Sequence, residues 1–210
     1  MIKKHLKLLI ITSVVILLPV VAGLLLWGRL PEQIPTHWNV NGEIDGWSSK
    51  AFAVFGLPLI LLTVHWLCVL GSRADPKKQN HSEKMLHIVC WIIPVISVFI
   101  LSVTYAVALG AAVRMEMLVG VFVGLVLAII GNYMPKCKQN YTIGIKLPWT
   151  LNSEENWNRT HRLAGRLWLV SGVVIILSVL LDFLWVLPIL MLLMILVPLA
   201  YSYMLYRKGI

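Results

Sequence analysis

Long apolar runs alternate with short polar punctuation along this chain. Runs of about 20 residues, each long enough to cross a bilayer core of about 30 Å as a helix, occupy Leu8 to Trp27, Ala51 to Leu70, His87 to Leu109, Met117 to Tyr133, Leu163 to Leu181 and Leu184 to Tyr206. The pattern predicts an all-α polytopic membrane protein, a bundle of six transmembrane helices. The first run follows Lys3, Lys4 and Lys7 as a signal peptide would. It is too long for a typical h-region and no small-x-small cleavage site follows, so it reads as an uncleaved span.

Composition agrees with that reading. Of 210 residues, 59% are hydrophobic and only 13% charged, with a mean hydropathy of +0.85, whereas soluble domains carry about 25% charged residues. The formal charge of +9 invites a nucleic-acid reading. Its distribution argues against direct nucleic-acid binding. Apart from Arg29, Lys50 and Arg114, every Lys and Arg lies near the N-terminus, in two alternate loops or at the C-terminus. The positive-inside rule then puts both termini in the cytoplasm. "GSRADPKKQNHSEK" and the long stretch from Met134 to Arg162 become cytoplasmic loops, and residues 29–50 an extracellular one. Cys68, Cys90 and Cys137 fall near the reducing face, so no disulfide framework is implied.

Two modules are expected. Residues 1–70 form two helices and the extracellular loop, and residues 71–210 form four helices and a cytoplasmic motif loop at 131–166. In the extracellular loop, "LPEQIPTHWNVNGEIDGWSSK", Pro31 and Pro35 favour extended backbone, while Asn41-Gly42 and Asp45-Gly46 signal turns. A compact turn structure or short hairpin follows, with Trp38 and Trp47 at the headgroups. His37, Glu43 and Asp45 have ligand chemistry but no recognised metal spacing, and no metal or cofactor is expected. Pro35, His37, Trp38, Asn39, Gly42, Asp45 and Gly46 are the candidate contacts for an extracellular peptide.

The cytoplasmic stretch is denser. Asn132, still at membrane depth, requires protein or water beside it, and Pro135 stops its helix. "TLNSEENW" reads as a helix start, with Asn152 or Ser153 as cap, Glu154 and Glu155 on the positive end of the dipole, and capping-box spacing from Asn152 to Glu155. On that helix Trp157 and His161 share a face, as do Arg159 and Arg162. An interfacial elbow explains the Trp and the basic residues but not the whole set. A specific surface for a partner fits better.

Glu154, Glu155 and His161 can serve as acid or base, yet no nucleophile elbow, HExxH or phosphate loop accompanies them. No catalytic residue is assigned and the chain is read as a non-enzyme. Acids are absent from the span centres, which argues against a proton-coupled transporter. Gly120, Gly124 and Ala128 form a small-residue stripe for close helix packing within the monomer, and Pro58, Pro188 and Pro198 are read as local bends.

"GNYMPKCKQNYTIGIKLPWTLNSEENWNRTHRLAG" and "PEQIPTHWNVNGEIDGW" together resemble the SdpI family of bacterial membrane immunity and signalling proteins. The first is similar to its C-terminal signature; the second is similar to a domain of unknown function often joined to it, with a Pro-x-His-Trp-Asn pattern. The resemblance implies a Gram-positive plasma-membrane protein that protects its producer from a secreted peptide toxin and holds a cytoplasmic transcriptional repressor at the membrane. It maps the inner motif onto Gly131, Asn132, Tyr133, Lys136, Lys138, Asn140, Gly144, Ile145, Pro148, Trp149, Thr150, Glu154, Trp157 and Thr160. With that resemblance in view, Trp149, Trp157, Arg159, His161 and Arg162 are expected to present the docking surface, and membrane lipids are the other partner. The alternative reading is a small-molecule or lipid-handling membrane protein, either transporter or enzyme.

Overall fold

The computed structural model describes residues 2–39 and 41–210, and side chains from His5 onward. The side chains of Lys3 and Lys4, expected at the cytoplasmic face, therefore lie outside the described residues. Among the described residues, six helices are long and apolar enough to cross a membrane. They are α1 (Ile2–Leu25), α2 (Leu57–Ala74, entered through a π-helical turn at Phe52–Gly56), α3 (Glu83–Ala108), α4 (Met115–Tyr133), α6 (Glu154–Leu180) and α7 (Val186–Arg207). The short α5 (Pro148–Asn152) lies between α4 and α6.

All six predicted spans are present, and α6 runs unbroken from the predicted helix start at Glu154. Its cap is Ser153, in extended backbone, whose hydroxyl accepts from Asn156 N at 3.1 Å. Asn152 belongs to α5 instead, so the Asn152–Glu155 capping box does not form.

The loop between α1 and α2 is a hairpin. Strands β1 (Gln33–Trp38) and β2 (Ile44–Ser49) pair antiparallel, with register shifts on both sides of His37. Asn39 builds the turn as an Asx motif. Its side-chain oxygen accepts from Asn41 N at 2.9 Å and Glu43 N at 3.0 Å, and Gly42 takes a φ of +78°.

The chain divides into two compact units, neither contiguous. One comprises residues 1–73 and 86–115, the other 74–85 and 116–210. The link after α2 thus joins the C-terminal half, while α3 from Leu86 onward groups with α1 and α2.

In the first unit, Leu30, Ile34, Ala53, Val54, Leu101 and Tyr105 form one core and Leu9, Val69, Leu86 and Cys90 another. Lys50 is buried with its charge compensated. Its ammonium donates to Glu32 Oε1 at 2.8 Å and to the carbonyls of Trp27 and Leu30 at 3.3 Å, and lies 4.9 Å from the Trp27 ring centre. His65 is a buried polar residue within a span. Its Nε2 meets Thr12 Oγ1 at 3.1 Å.

The predicted small-residue stripe is used inside the second unit, between α4 and α6. A Cβ on Gly124 would stand 2.7 Å from the Gly172 carbonyl oxygen, one on Gly172 2.4 Å from that of Gly124, and one on Gly131 2.4 Å from Leu169 N. Only glycine permits backbone approach this close.

Candidate functional site

The polar elbow joins α4 to α6. Met134–Lys136 make a single 3-10 turn, residues 137–147 are irregular, and α5 leads to the cap at Ser153. At its centre Trp157 and His161, one turn apart on α6, stack with ring centres 4.0 Å apart, and both are buried. Each indole and imidazole nitrogen has a partner. Trp157 Nε1 donates to the Cys137 carbonyl at 2.7 Å. His161 Nδ1 lies 2.8 Å from the Trp157 carbonyl and must donate to it, while Nε2 accepts from Ile145 N at 3.0 Å. Those two bonds fix one neutral tautomer, because a second ring proton would face the Ile145 amide.

Gly144 lies against this stack with a φ of +123°, and a Cβ there would come within 2.5 Å of His161 Nε2. Asn140 organises the neighbouring backbone. Its amide donates to the Lys138 and Ile143 carbonyls at 2.9 and 3.0 Å, and its oxygen accepts from Thr142 N and Ile143 N at 2.9 and 2.6 Å. Thr150 Oγ1 accepts from Leu147 N at 2.9 Å and donates to the Ile145 carbonyl at 2.8 Å. Burial pushes the Cys137 thiol up to about 11, with Asn140 partly opposing. It is therefore a neutral, enclosed group rather than a reactive one.

A second layer ties the elbow to α7. Trp149 Nε1 donates to Ser202 Oγ at 2.9 Å, and its ring packs on Tyr206 and Tyr203 at 5.9 and 5.5 Å. Asn156 donates to the carbonyls of Ser202 and Ile210 at 3.0 and 3.1 Å and accepts from Thr160 Oγ1 at 3.1 Å. A shallow groove of about 440 Å³ runs along this seam, lined by Pro148, Trp149, Asn152, Ser153, Tyr206, Gly209 and Ile210.

The third layer was not foreseen. Asp75, in the link between α2 and α3, is buried and accepts from Lys77 N at 2.7 Å, Tyr141 N at 2.9 Å and Thr142 Oγ1 at 2.8 Å, with His81 Nε2 at 3.3 Å. Burial alone would raise its carboxyl. The hydrogen bonds from Lys77, Thr142 and Tyr141, with the charge of His81, outweigh it and hold the carboxyl below its ordinary value. Lys77 Nζ bonds Gln139 Oε1, and Asn80 donates to the Gln139 carbonyl at 2.7 Å. Gln139 itself donates to the carbonyls of Thr150 and Leu151, both at 2.9 Å.

The predicted inner residues therefore separate into two groups. Asn140, Thr150, Trp157, Thr160 and His161 are internal. Trp157 and His161 cannot present a docking surface as expected, because their rings are spent on each other and on the backbone. Asn132, Lys136, Lys138, Gly144, Pro148, Glu154 and Arg162 are exposed, and Tyr133, Trp149 and Arg159 half-buried. Arg159 pairs with Glu155 at 2.5 Å, Arg162 donates to the Asn158 carbonyl at 3.3 Å, and Lys136 caps the Tyr133 ring at 4.8 Å. Trp149 and the two arginines remain reachable by a partner.

In the hairpin, Pro35 is buried, Trp38, Asn39, Gly42 and Gly46 are half-buried, and His37 and Asp45 are exposed. His37 Nδ1 meets Asp45 Oδ1 at 2.5 Å across the strands, with Gly46 giving His37 its room. No group of three His, Cys, Asp or Glu residues with metal-holding geometry occurs among the described residues.

Six apolar helices joined by a filled polar elbow and a small hairpin define a multi-pass membrane protein. Residues 136–202 match the SdpI/YfhL protein family, and residues 14–62 match a domain of unknown function, DUF1648. The chain is similar to the Immunity protein SdpI of Bacillus subtilis (strain 168), with 29% identity over 170 residues, covering 79% of this chain and 78% of that protein. No solved structure matches it.

Proposed function

We propose that this protein is a membrane immunity protein that protects its cell from a secreted peptide toxin. The similarity to an immunity protein along four-fifths of the chain carries the reading. In this arrangement both termini and the elbow face the cytoplasm and the hairpin faces outward, as the clustering of Lys and Arg supports. The hairpin, with the exposed His37–Asp45 pair and Trp47, meets the peptide. The elbow presents Trp149, Arg159 and Arg162 to a cytoplasmic repressor, residue types that commonly dominate protein contacts. Trp157, His161 and Asn140 hold that surface in shape from within. They fill the centre of the elbow, which leaves the shallow groove beside Trp149 as the place a small molecule or lipid headgroup would have to use under the lipid-handling alternative.

The experiment is survival of a toxin-sensitive Gram-positive strain expressing the protein, challenged with the secreted toxin encoded nearest its gene. Protection by wild type at matched membrane levels is expected. A Trp149→Ala/Arg159→Ala variant should retain protection and lose repressor recruitment to the membrane fraction. No protection by wild type would contradict the immunity reading, and normal recruitment by the variant would contradict the docking face.

A further inference from the structure

Near the elbow, α4 and α6 of the second unit touch backbone to backbone. A Cβ on Gly131 would stand 2.8 Å from the Gly165 carbonyl oxygen, and one on Gly165 2.7 Å from that of Gly131. Further along, Gly124 meets Gly172 and Gly120 meets Val179, so the two helices run antiparallel. Each residue of a helix advances by about 100° around its axis. On antiparallel helices, the residues that follow the two contact glycines therefore turn to the same side of the seam. They are Asn132 and Arg166, and both are exposed. Lys136, one turn on from Asn132, is exposed on that side too, with its ammonium 4.8 Å from the Tyr133 ring centre.

The same side continues away from the elbow as an apolar wall. Leu125 and Ile129 of α4 and Leu169 and Val173 of α6 are exposed along it. The apolar run of α6 begins at Leu163, so Arg166 lies about 5 Å inside it at about 1.5 Å per residue. A guanidinium at that depth reaches back toward the headgroups and needs an anion to face. The elbow and its two helices offer none. No Asp or Glu occurs from Met117 to Ser153 or from Asn156 to Leu181. Of the two acids between these stretches, Glu155 pairs with Arg159, and Glu154 stands about 18 Å along α6 from Arg166. Among the described residues Arg166 has no ion pair or hydrogen bond.

We propose that this side of the α4–α6 seam is a binding site for an anionic phospholipid. The phosphate sits between Arg166 and Lys136 and accepts from the Asn132 amide, and the acyl chains lie along Leu125, Ile129, Leu169 and Val173. A guanidinium suits a phosphate because it offers two parallel N–H donors. A zwitterionic lipid brings its own cation to the same place and gains less. The occupant is a lipid rather than a soluble anion because the basic cluster borders an apolar wall at the level of a span. The site is separate from the Trp149 groove and from Arg159, and it involves neither toxin nor repressor.

The full chain, purified in detergent, is titrated with dioleoylphosphatidylglycerol or dioleoylphosphatidylcholine, and bound lipid is counted by native mass spectrometry. A single phosphatidylglycerol should bind about tenfold more tightly than phosphatidylcholine, the ratio that one charge-assisted contact corresponds to. Lys136→Gln/Arg166→Gln should remove that preference. Lys146→Gln/Lys208→Gln takes the same charge from two other exposed positions and should keep it. Melting temperatures in phosphatidylcholine nanodiscs should match for wild type and both variants, since all four side chains are exposed. Added phosphatidylglycerol should then raise the melting temperature of wild type and of the Lys146/Lys208 variant but not of the Lys136/Arg166 variant. The site is overturned if the two lipids bind wild type alike. It is equally overturned if the Lys146/Lys208 variant loses the preference as fully, which would mean diffuse surface attraction, or if millimolar inorganic phosphate displaces the lipid.

Discussion

The hairpin and the elbow are both polar interruptions of an apolar chain, and they spend their polar groups in opposite ways. In the hairpin the principal side-chain pair, His37 with Asp45, is exposed, and the backbone ladder is a two-stranded sheet, which is marginal by itself. In the elbow the polar side chains point inward. Asn140, Gln139, Thr150, Trp157 and His161 satisfy one another and the irregular backbone of residues 137–147, and all are buried. An irregular loop can be rigid when its amides and carbonyls find side-chain partners. The comparison separates residues that hold a surface from residues that are the surface.

Substitutions that remove the elbow's filling should have the largest effect. Trp157→Ala should cost about 3–5 kcal/mol, as for other buried large-to-Ala changes, and abolish a cooperative melt followed by tryptophan fluorescence in detergent. Gly144→Ala should cost about 1–3 kcal/mol from the left-handed backbone alone, with the contact on His161 adding to it. The expected signature is a lowered melting temperature with normal membrane insertion.

Asp75→Asn should be next, at about 1.5–3 kcal/mol for loss of hydrogen bonds to a charged group. Its pH dependence is specific. The folded carboxyl titrates below its unfolded counterpart, so the stabilisation is complete above the unfolded value and is lost as pH falls through the folded one. Melting temperatures of wild type and Asp75→Asn should therefore converge as the pH drops below the ordinary carboxylate range and stay apart at neutral pH.

The hairpin should respond differently. Asp45→Ala removes an exposed pair worth at most about 1 kcal/mol, so the melt should barely move while protection from the toxin falls. Arg159→Ala should be the mildest in stability, about 0.3–0.5 kcal/mol for an exposed i,i+4 pair, with its effect confined to recruitment. A hairpin substitution that unfolds the protein, or an elbow substitution at Trp157 that leaves the melt intact, would reverse the comparison.

Much of this is legible in the sequence. Apolar run length marked all six spans, and Pro35 and Asn41-Gly42 marked the hairpin, because both signals are local; Asp45-Gly46, read as a turn, lies instead inside β2, where Gly46 pairs with His37. The shared face of Trp157 and His161 follows from their four-residue spacing, but spacing does not say which side of a helix faces inward. The pair read as a docking surface proved to be the filling. Asp75 carried no signal at all, since its partners Tyr141 and Thr142 lie 66 and 67 residues away and a charged loop looks solvated. The grouping of residues 74–85 with the C-terminal half was hidden for the same reason, because it depends on long-range hydrogen bonds within a stretch whose lysines advertise only membrane topology.

Hydrogen exchange in lipid bilayers tests the contrast most directly, comparing the Ile145 and Leu147 amides and the Trp157 indole with the backbone amides of residues 33–38. A filled, self-satisfied elbow predicts that the three elbow protons exchange far more slowly than the hairpin amides. Elbow protons exchanging as fast as the hairpin amides would contradict it, and would mean that the polar residues of 137–161 face water or a partner rather than one another.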